Sequence, residues 1–344
     1  MRPQVDLLVV GGGPVGLTTA VEGAMAGLSV ALVESRRSPV DKACGEGLMP
    51  SAVAALGRLA VHLEGAPLRG IAYLDAAGPC RAVAAFAGAP GVGVRRTTLS
   101  AALAARADAV GVELVPQRSG AVAQGHGWVE AAGIRARYLV AADGLHSPIR
   151  RALGLDVAPA TGHAARYGLR RHYAIEPWTD VVEVHWARDA EAYVTPVAPD
   201  LVGVAVLCAG GKPYQAWLES FPMLHERLAG ARPASDVRGA GPLRQKARRH
   251  VDGNVLLVGD ASGYVDALTG EGISVGMACA QEAVRALAAG RPQDYEEAWR
   301  RTTRRYRLLT GALLWAAGRP ALRARIVPAA HGLPRLFTRI VNSL

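Results

Sequence analysis

Hydrophobic residues along the chain change period several times, and the changes mark its elements. Val5–Val10 is an apolar run broken only by Asp6, and it ends in three glycines. Helix-spaced apolar positions follow over Pro14–Ala26, then a second apolar run over Ser29–Glu34. Strand, glycine turn, helix and strand in that order predict a βαβ unit and a parallel sheet. A further helix is predicted over Thr97 to about Gly111, and a strand over Tyr138–Ala142 that ends in Asp143-Gly144. Between about Gly168 and Leu207 the period drops to two. Val181–Trp186, Glu191–Val197 and Val202–Leu207 alternate across short turns, which predicts an antiparallel meander in a separate layer. The parallel pattern returns at Asn254–Val258, and a helix is predicted from Gly272 to Ala289. From Tyr306 onward apolar residues interleave with arginines, and Pro320, Pro328 and Pro334 divide the segment into short helices.

The expected division is therefore an α/β chain with one discontinuous domain (residues 1–68, 94–155 and 246–305), an inserted antiparallel-sheet substrate domain (69–93 and 156–245) and a helical tail (306–344). A chain of 344 residues, half of them apolar, can bury a sizeable core. It carries no uninterrupted apolar run of about 18 residues and no leader-type N-terminus, so a cytoplasmic protein is expected. Cys44, Cys80, Cys208 and Cys279 are scattered without CxxC spacing, which argues against a disulfide framework and a zinc site.

The net charge is +10, with 36 arginines against three lysines. No nucleic-acid-binding motif accompanies the charge, so no nucleic-acid partner is expected. Two readings of the basic tail stand: a face packed on the rest of the protein, or a peripheral contact with an anionic membrane surface.

Three motifs carry chemistry. Gly11-Gly12-Gly13-Pro14-Val15-Gly16 follows a strand and opens a helix. In such a GxGxxG, Gly11 permits the turn, Gly13 lets the backbone approach a pyrophosphate, and Gly16 lets helix and strand pack closely. The pyrophosphate then meets the free N–H groups of the helix N-terminus. Glu34 ends the second strand, where an acid binds ribose hydroxyls. An acid there argues against a 2′-phosphate but leaves NAD and FAD open. The second motif runs Leu139 to Arg150, an apolar strand ending in Asp143-Gly144 before a turn and a basic helix. The third runs Gly259 to Ile273, an apolar strand that delivers Asp260 and then a glycine-spaced loop opening a second helix near Gly272.

In this order and spacing the three motifs resemble those of FAD-dependent aromatic hydroxylases, flavin halogenases and geranylgeranyl reductases, over roughly residues 4–290. The resemblance implies a Rossmann-type FAD-binding domain and non-covalent FAD. It implies Gly11, Gly13, Pro14, Gly16 and Glu34 on the ADP half, Arg96 near the phosphates, and Asp260 on the ribityl chain. It places Gly270, Gly272 and Ile273 beside the isoalloxazine, with Asp143 and Gly144 helping to bind the cofactor. Lys42-Ala43-Cys44-Gly45-Glu46-Gly47-Leu48 resembles the CGEG segment of the reductases, which lies over the flavin. Gly263, where hydroxylases carry His, points the same way. Against that branch, Tyr193-Val194-Thr195-Pro196 replaces a tryptophan-bearing strand motif. The paired-tryptophan motif of halogenases is absent.

The reading expected from sequence is a monooxygenase that hydroxylates a lipophilic aromatic or polyketide-type small molecule with NAD(P)H and O2. The alternative is a reductase of isoprenoid double bonds, and a third reading is a non-catalytic flavin-binding module. Cys44 and Tyr193 are the candidate catalytic residues. No second GxGxxG is present, so the electron donor has no Rossmann site of its own: NAD(P)H would visit the flavin, or the donor would be another protein.

Overall fold

A computed structural model describes residues 4–158 and 165–343. Along the chain the elements that matter here are β1 (Val5–Val10), α1 (Pro14–Met25), β2 (Val30–Val33), α2 (Pro50–Arg58), β3 (Gly70–Asp75), β4 (Arg81–Ala85), α3 (Arg96–Ala109), β5 (Glu113–Val115), β6 (Ile134–Ala141) and α4 (Pro148–Ala152). They continue with β7 (Tyr167–Ala174), β8 (Val182–Trp186), β9 (Glu191–Ala198), β10 (Leu201–Cys208), α5 (Tyr214–Leu218), α6 (Pro222–Arg227), β11 (Val255–Leu257) and α7 (Gly272–Ala288). The chain closes with α8 (Asp294–Ala317), α9 (Pro320–Arg323), α10 (Ile326–Gly332) and α11 (Pro334–Val341).

The first sheet is parallel through its centre, in the order β11-β6-β1-β2-β5. Leu7 sits between Tyr138 and Val30 in this register. Because β1 and β2 are buried on both faces, their residues run apolar without alternation. One face packs against α1, α3 and α7 through Leu17, Leu103 and Met277. The other is covered around Ile149 and Val129, the latter on an antiparallel ribbon (Ala123–Gly125 and Trp128–Ala131) that the sequence pattern had not announced. Burying a leucine such as Leu7 or Leu8 completely contributes roughly 1.5–3 kcal/mol.

The second sheet runs β7-β10-β9-β8-β3-β4. It is not wholly antiparallel as expected: β8 pairs with β3 in parallel, Val184 opposite Tyr73. The strand that precedes β8 in space comes from a distant part of the chain, a pairing that local periodicity cannot encode. The sheet's central strands β8 and β9 are covered on both faces, whereas the edge strand β4 alternates exposed and buried. All five residues of β8 are buried, as are the first seven of β9. The outer face carries Val194, Val204 and Val206 against Trp217, Phe221 and Leu224 of the α5–α6 pair. The inner face presents Val184, Trp186 and Tyr193 toward Met49, Leu243 and Leu268.

The tail also departs from expectation. Its expected start at Tyr306 falls inside α8, a single helix of 24 residues. Pro320 and Pro334 do open new helices, but Pro328 lies within the first turn of α10, where its missing N–H costs nothing. Among the described residues no helix is long and apolar enough to cross a membrane.

Candidate cofactor site

The end of the first sheet is built around β1, α1 and the loops after β6 and β11. Gly11 has φ +111°, and a Cβ there would lie 2.4 Å from the Ala142 carbonyl oxygen. A Cβ on Gly16 would lie 1.8 Å from the Gly11 carbonyl oxygen, so helix and turn touch backbone to backbone. Gly13 caps α1 with no side-chain partner, leaving the first N–H groups of the helix free. The nearest side-chain atom to its open side is a guanidinium nitrogen of Arg96, 3.8 Å from where a Cβ would stand. Pro14 fills the first helical position. A pyrophosphate fits this cradle: free N–H groups, a helix dipole and a cation face one open space.

Among the described residues, two buried polar atoms nearby have no partner, Arg96 Nε and Asp143 Oδ1. Buried polar groups are ordinarily paired, so these are the atoms a bound dinucleotide would satisfy. Asp143 Oδ2 accepts from the Ile149 amide at 3.2 Å, and burial raises the carboxyl pKa. Gly144 has φ +90° and faces Lys42 Nζ.

Asp260 follows β11 and keeps accessible surface, yet protein surrounds it closely enough that burial raises its pKa. Lys42, Arg96 and Arg150 pull the other way, so one carboxylate faces three cations. Arg150 is 1% exposed and donates to the carbonyls of Asp260 (3.3 Å), Ala261 (3.0 Å) and Leu145 (3.1 Å). It thereby ties the second motif to the third.

Glu34 ends up in the expected place with an unexpected partner. Its Oε2 accepts from the Gly12 amide (3.0 Å) and Arg36 (2.6 Å), and its Oε1 from the Arg36 amide and Nε (both 2.9 Å). Burial opposes the charged form, but these bonds hold the pKa below the ordinary value. All four lone-pair positions are taken, so a ribose hydroxyl reaches Glu34 only by displacing the exposed Arg36 side chain.

The Cys44 segment crosses between the two sheets. Glu46 has φ +62°, a conformation that costs a non-glycine residue on the order of 1 kcal/mol or more. Its buried carboxylate holds the turn: Oε1 accepts from the Arg96 amide at 2.8 Å, and Oε2 lies 2.5 Å from His172 Nε2 on β7. Arg170 lies beside them and pairs with Asp41. Thr195 on β9 donates to the Gly45 carbonyl at 2.8 Å. Cys44 Sγ accepts from the Glu46 amide at 3.4 Å, within the same turn.

The Asp266–Gly272 loop is gripped from two sides. Tyr193 donates to the Leu268 carbonyl at 2.7 Å, and burial keeps its hydroxyl protonated by raising its pKa well above normal. From α8, Tyr306 donates to the Asp266 carbonyl at 3.0 Å, and Thr310 bonds Thr269 at 3.0 Å. Gly270 has φ +72° and faces Met49, and Gly272 packs on the Tyr264 ring before Ile273 enters α7. Glu271, buried at 4% exposure, has its pKa pushed up to about 7 by burial, with Arg305 opposing. The sequence reading had passed over Lys42, Glu46, Arg150, Glu271 and Tyr306. Lys42, Glu46, Arg150 and Glu271 lie inside motifs already quoted, so their place was legible though their partners were not. Tyr306 had no local signal.

A family model, the FAD binding domain, matches residues 4–65 and 83–293. Menaquinone reductase of Mycolicibacterium smegmatis is 28% identical over 334 residues, 87% of this chain and 80% of the relative. Digeranylgeranylglycerophospholipid reductase of Methanosarcina mazei is 25% identical over 335 residues, 88% and 82% of the two chains. Among solved structures, p-nitrophenol 4-monooxygenase PnpA of Pseudomonas putida superposes with a TM-score of 0.82 at 19% identity, covering 99% of each chain. At that identity the likeness speaks for the fold alone.

Proposed function

The chain belongs to the FAD binding domain family of flavin-dependent oxidoreductases, and on that premise we propose that it reduces carbon–carbon double bonds in a lipophilic, isoprenoid-bearing substrate. The observation that carries this reading is the Cys44-Gly45-Glu46-Gly47 turn, locked by Glu46 between the Arg96 amide and His172. Two of the relatives aligned over most of the chain are named menaquinone reductase and digeranylgeranylglycerophospholipid reductase, which supports the same choice.

FAD supplies, when bound, a two-electron carrier that can deliver a hydride. The chain's residues arrange that delivery. Gly13, Arg96 and Lys42 would hold the phosphates, and Asp260 would accept from a ribityl hydroxyl. The N-terminus of α7 favours negative charge at the isoalloxazine. Tyr193 acts as a positioning residue, because its hydroxyl is committed to Leu268. The Cys44 thiol is the candidate proton donor, whose proton together with one hydride would saturate the double bond, and NAD(P)H is the candidate source of the electron pair.

Hydroxylation with NAD(P)H and O2 is the second reading. Tyr193-Val194-Thr195-Pro196, standing where reductases carry a tryptophan, favours it. An anaerobic assay separates the two. Holoprotein supplied with NAD(P)H or dithionite and a menaquinone bearing an unsaturated side chain is expected to give a product that, after air reoxidation of the quinol, is a quinone still heavier by two hydrogens. A strict need for O2, with an oxygen atom in the product, overturns the reductase reading. Absence of turnover with and without O2, across quinone and phospholipid substrates, would leave a flavin-binding module.

A further inference from the structure

A cavity of about 700 Å³ lies between α7, α8 and the ribbon formed by Gln245–Lys246 and Gly263–Tyr264. Gly11, Glu34, Arg96 and Asp143 are not among its walls, so it is distinct from the dinucleotide cleft. It backs onto that cleft, however, because Asp260, Ser262, Tyr264 and Gly272 form its floor.

The cavity has two chemistries. Inside, Trp299 and Tyr306 are buried aromatic residues, and His250 stacks on Trp299 with ring centroids 3.4 Å apart. His250 is 4% exposed and its Nε2 has no partner. At the mouth stand Arg244, Lys246, Arg304 and Arg307, all exposed, beside the exposed Leu308. Among the described residues none of these four cations pairs with an acid. Asp260, the only acid among the described residues of the lining, is also under the field of Lys42, Arg96 and Arg150. Four unneutralised cations on one rim repel each other, a cost that a multiply charged anion removes. The size lies within the roughly 300–1,000 Å³ of ordinary ligand pockets.

We propose that this cavity is a second ligand site, for an amphiphile whose phosphate or diphosphate head is held by Arg244, Lys246, Arg304 and Arg307 and whose apolar or aromatic body lies against Trp299 and Tyr306. Arginine suits the head because its planar fork matches phosphate oxygens. A body seated on the Asp260–Tyr264 floor touches the other side of the flavin loop, so occupancy is felt at the cofactor. The head chemistry is shared by phosphorylated lipids and by nucleotides. The site itself does not depend on whether the enzyme reduces or hydroxylates.

The test uses FAD-saturated full-length protein and three probes in equilibrium dialysis: inorganic pyrophosphate, geranyl diphosphate and adenosine 2′,5′-bisphosphate. At least one of the two amphiphiles is expected to bind tenfold or more tightly than pyrophosphate, and to weaken with salt. Preference for geranyl diphosphate assigns a lipid source, preference for the bisphosphate a nucleotide source. Arg304→Glu with Arg307→Glu is expected to cut that affinity at least tenfold with FAD content unchanged. Should the double variant lose FAD, the single changes Arg304→Gln and Lys246→Gln, both on exposed side chains, replace it. Equal binding of all three probes, no binding at millimolar concentration, or affinity indifferent to these variants overturns the proposal.

Discussion

Glu271 illustrates how much one buried carboxyl can do. Its pKa is raised from an ordinary 4.5 to about 7 in the folded protein. Between those values the folded state binds a proton that the unfolded state releases, so stability falls as pH rises through that window. At 1.36 kcal/mol per unit the loss reaches up to roughly 3 kcal/mol above pH 7. Glu271→Gln is therefore expected to flatten the fall in Tm between pH 5 and 8 and to raise Tm at pH 8. An unchanged Tm profile would place the carboxyl in solvent. Asp260→Ala is expected to yield folded, largely colourless protein, because the cleft loses the carboxylate that faces Lys42 and Arg96. Normal FAD retention would remove Asp260 from the cofactor. Cys44→Ser separates chemistry from packing: turnover should drop while Tm stays close to wild type, and the reverse pattern makes the thiol a filler.

Among elements, α8 carries more than its sequence suggested. It spans the expected domain boundary and uses Tyr306 and Thr310 to brace the Asp266–Gly272 loop. Tyr306→Phe leaves the Asp266 carbonyl buried without its donor, a loss of about 1–3 kcal/mol. A lower Tm and weaker FAD retention are expected together. If FAD affinity holds while Tm falls, the brace is structural only. Further along, Arg323 is 7% exposed, pairs with Glu191 at 2.6 Å and donates to the Ala187 and Ala190 carbonyls. Glu191 also pairs with Arg166, which in turn binds Asp266. Removing Arg323 leaves two buried carboxylates, Glu191 and Asp266, to share Arg166 alone, so Arg323→Ala is expected to cost up to about 3–5 kcal/mol, read as a fall in denaturation midpoint.

At the scale of the whole molecule, part of the tail packs on the rest of the protein and part of it stays exposed. Phe337 and Val341 of α11 pack on Ala82 and Ala84 of β4, and Val327 of α10 is buried as well. Trp315, Leu333, Leu336 and Ile340 remain exposed beside Arg319, Arg335 and Arg339. We propose that this face rests on anionic lipid, with apolar burial and charge acting together. Salt-sensitive cosedimentation with anionic vesicles is expected for the full chain and should be lost in Leu336→Asp with Ile340→Asp. Equal sedimentation of both proteins, or none with either, returns the face to solvent. Truncation is the wrong instrument here, because it removes Tyr306, Thr310 and Arg323 along with the exposed residues.

The sequence by itself determined the elements whose cause is local. The β1–α1–β2 unit, the glycines whose added Cβ would strike backbone, and the strand that delivers Asp260 were legible because period and steric tolerance act within a few residues. The family followed from those motifs in order. Tertiary structure alone decided what joins residues far apart in the chain. It set β3 parallel to β8, turned Arg36 onto Glu34, and aimed Arg150 at the Asp260 carbonyls. It buried Glu46 between Arg96 and His172, and laid α8 across the Asp266–Gly272 loop. Each of these is a pairing of charge or hydrogen-bonding groups whose strength depends on distance and burial, and neither quantity exists until the chain has folded.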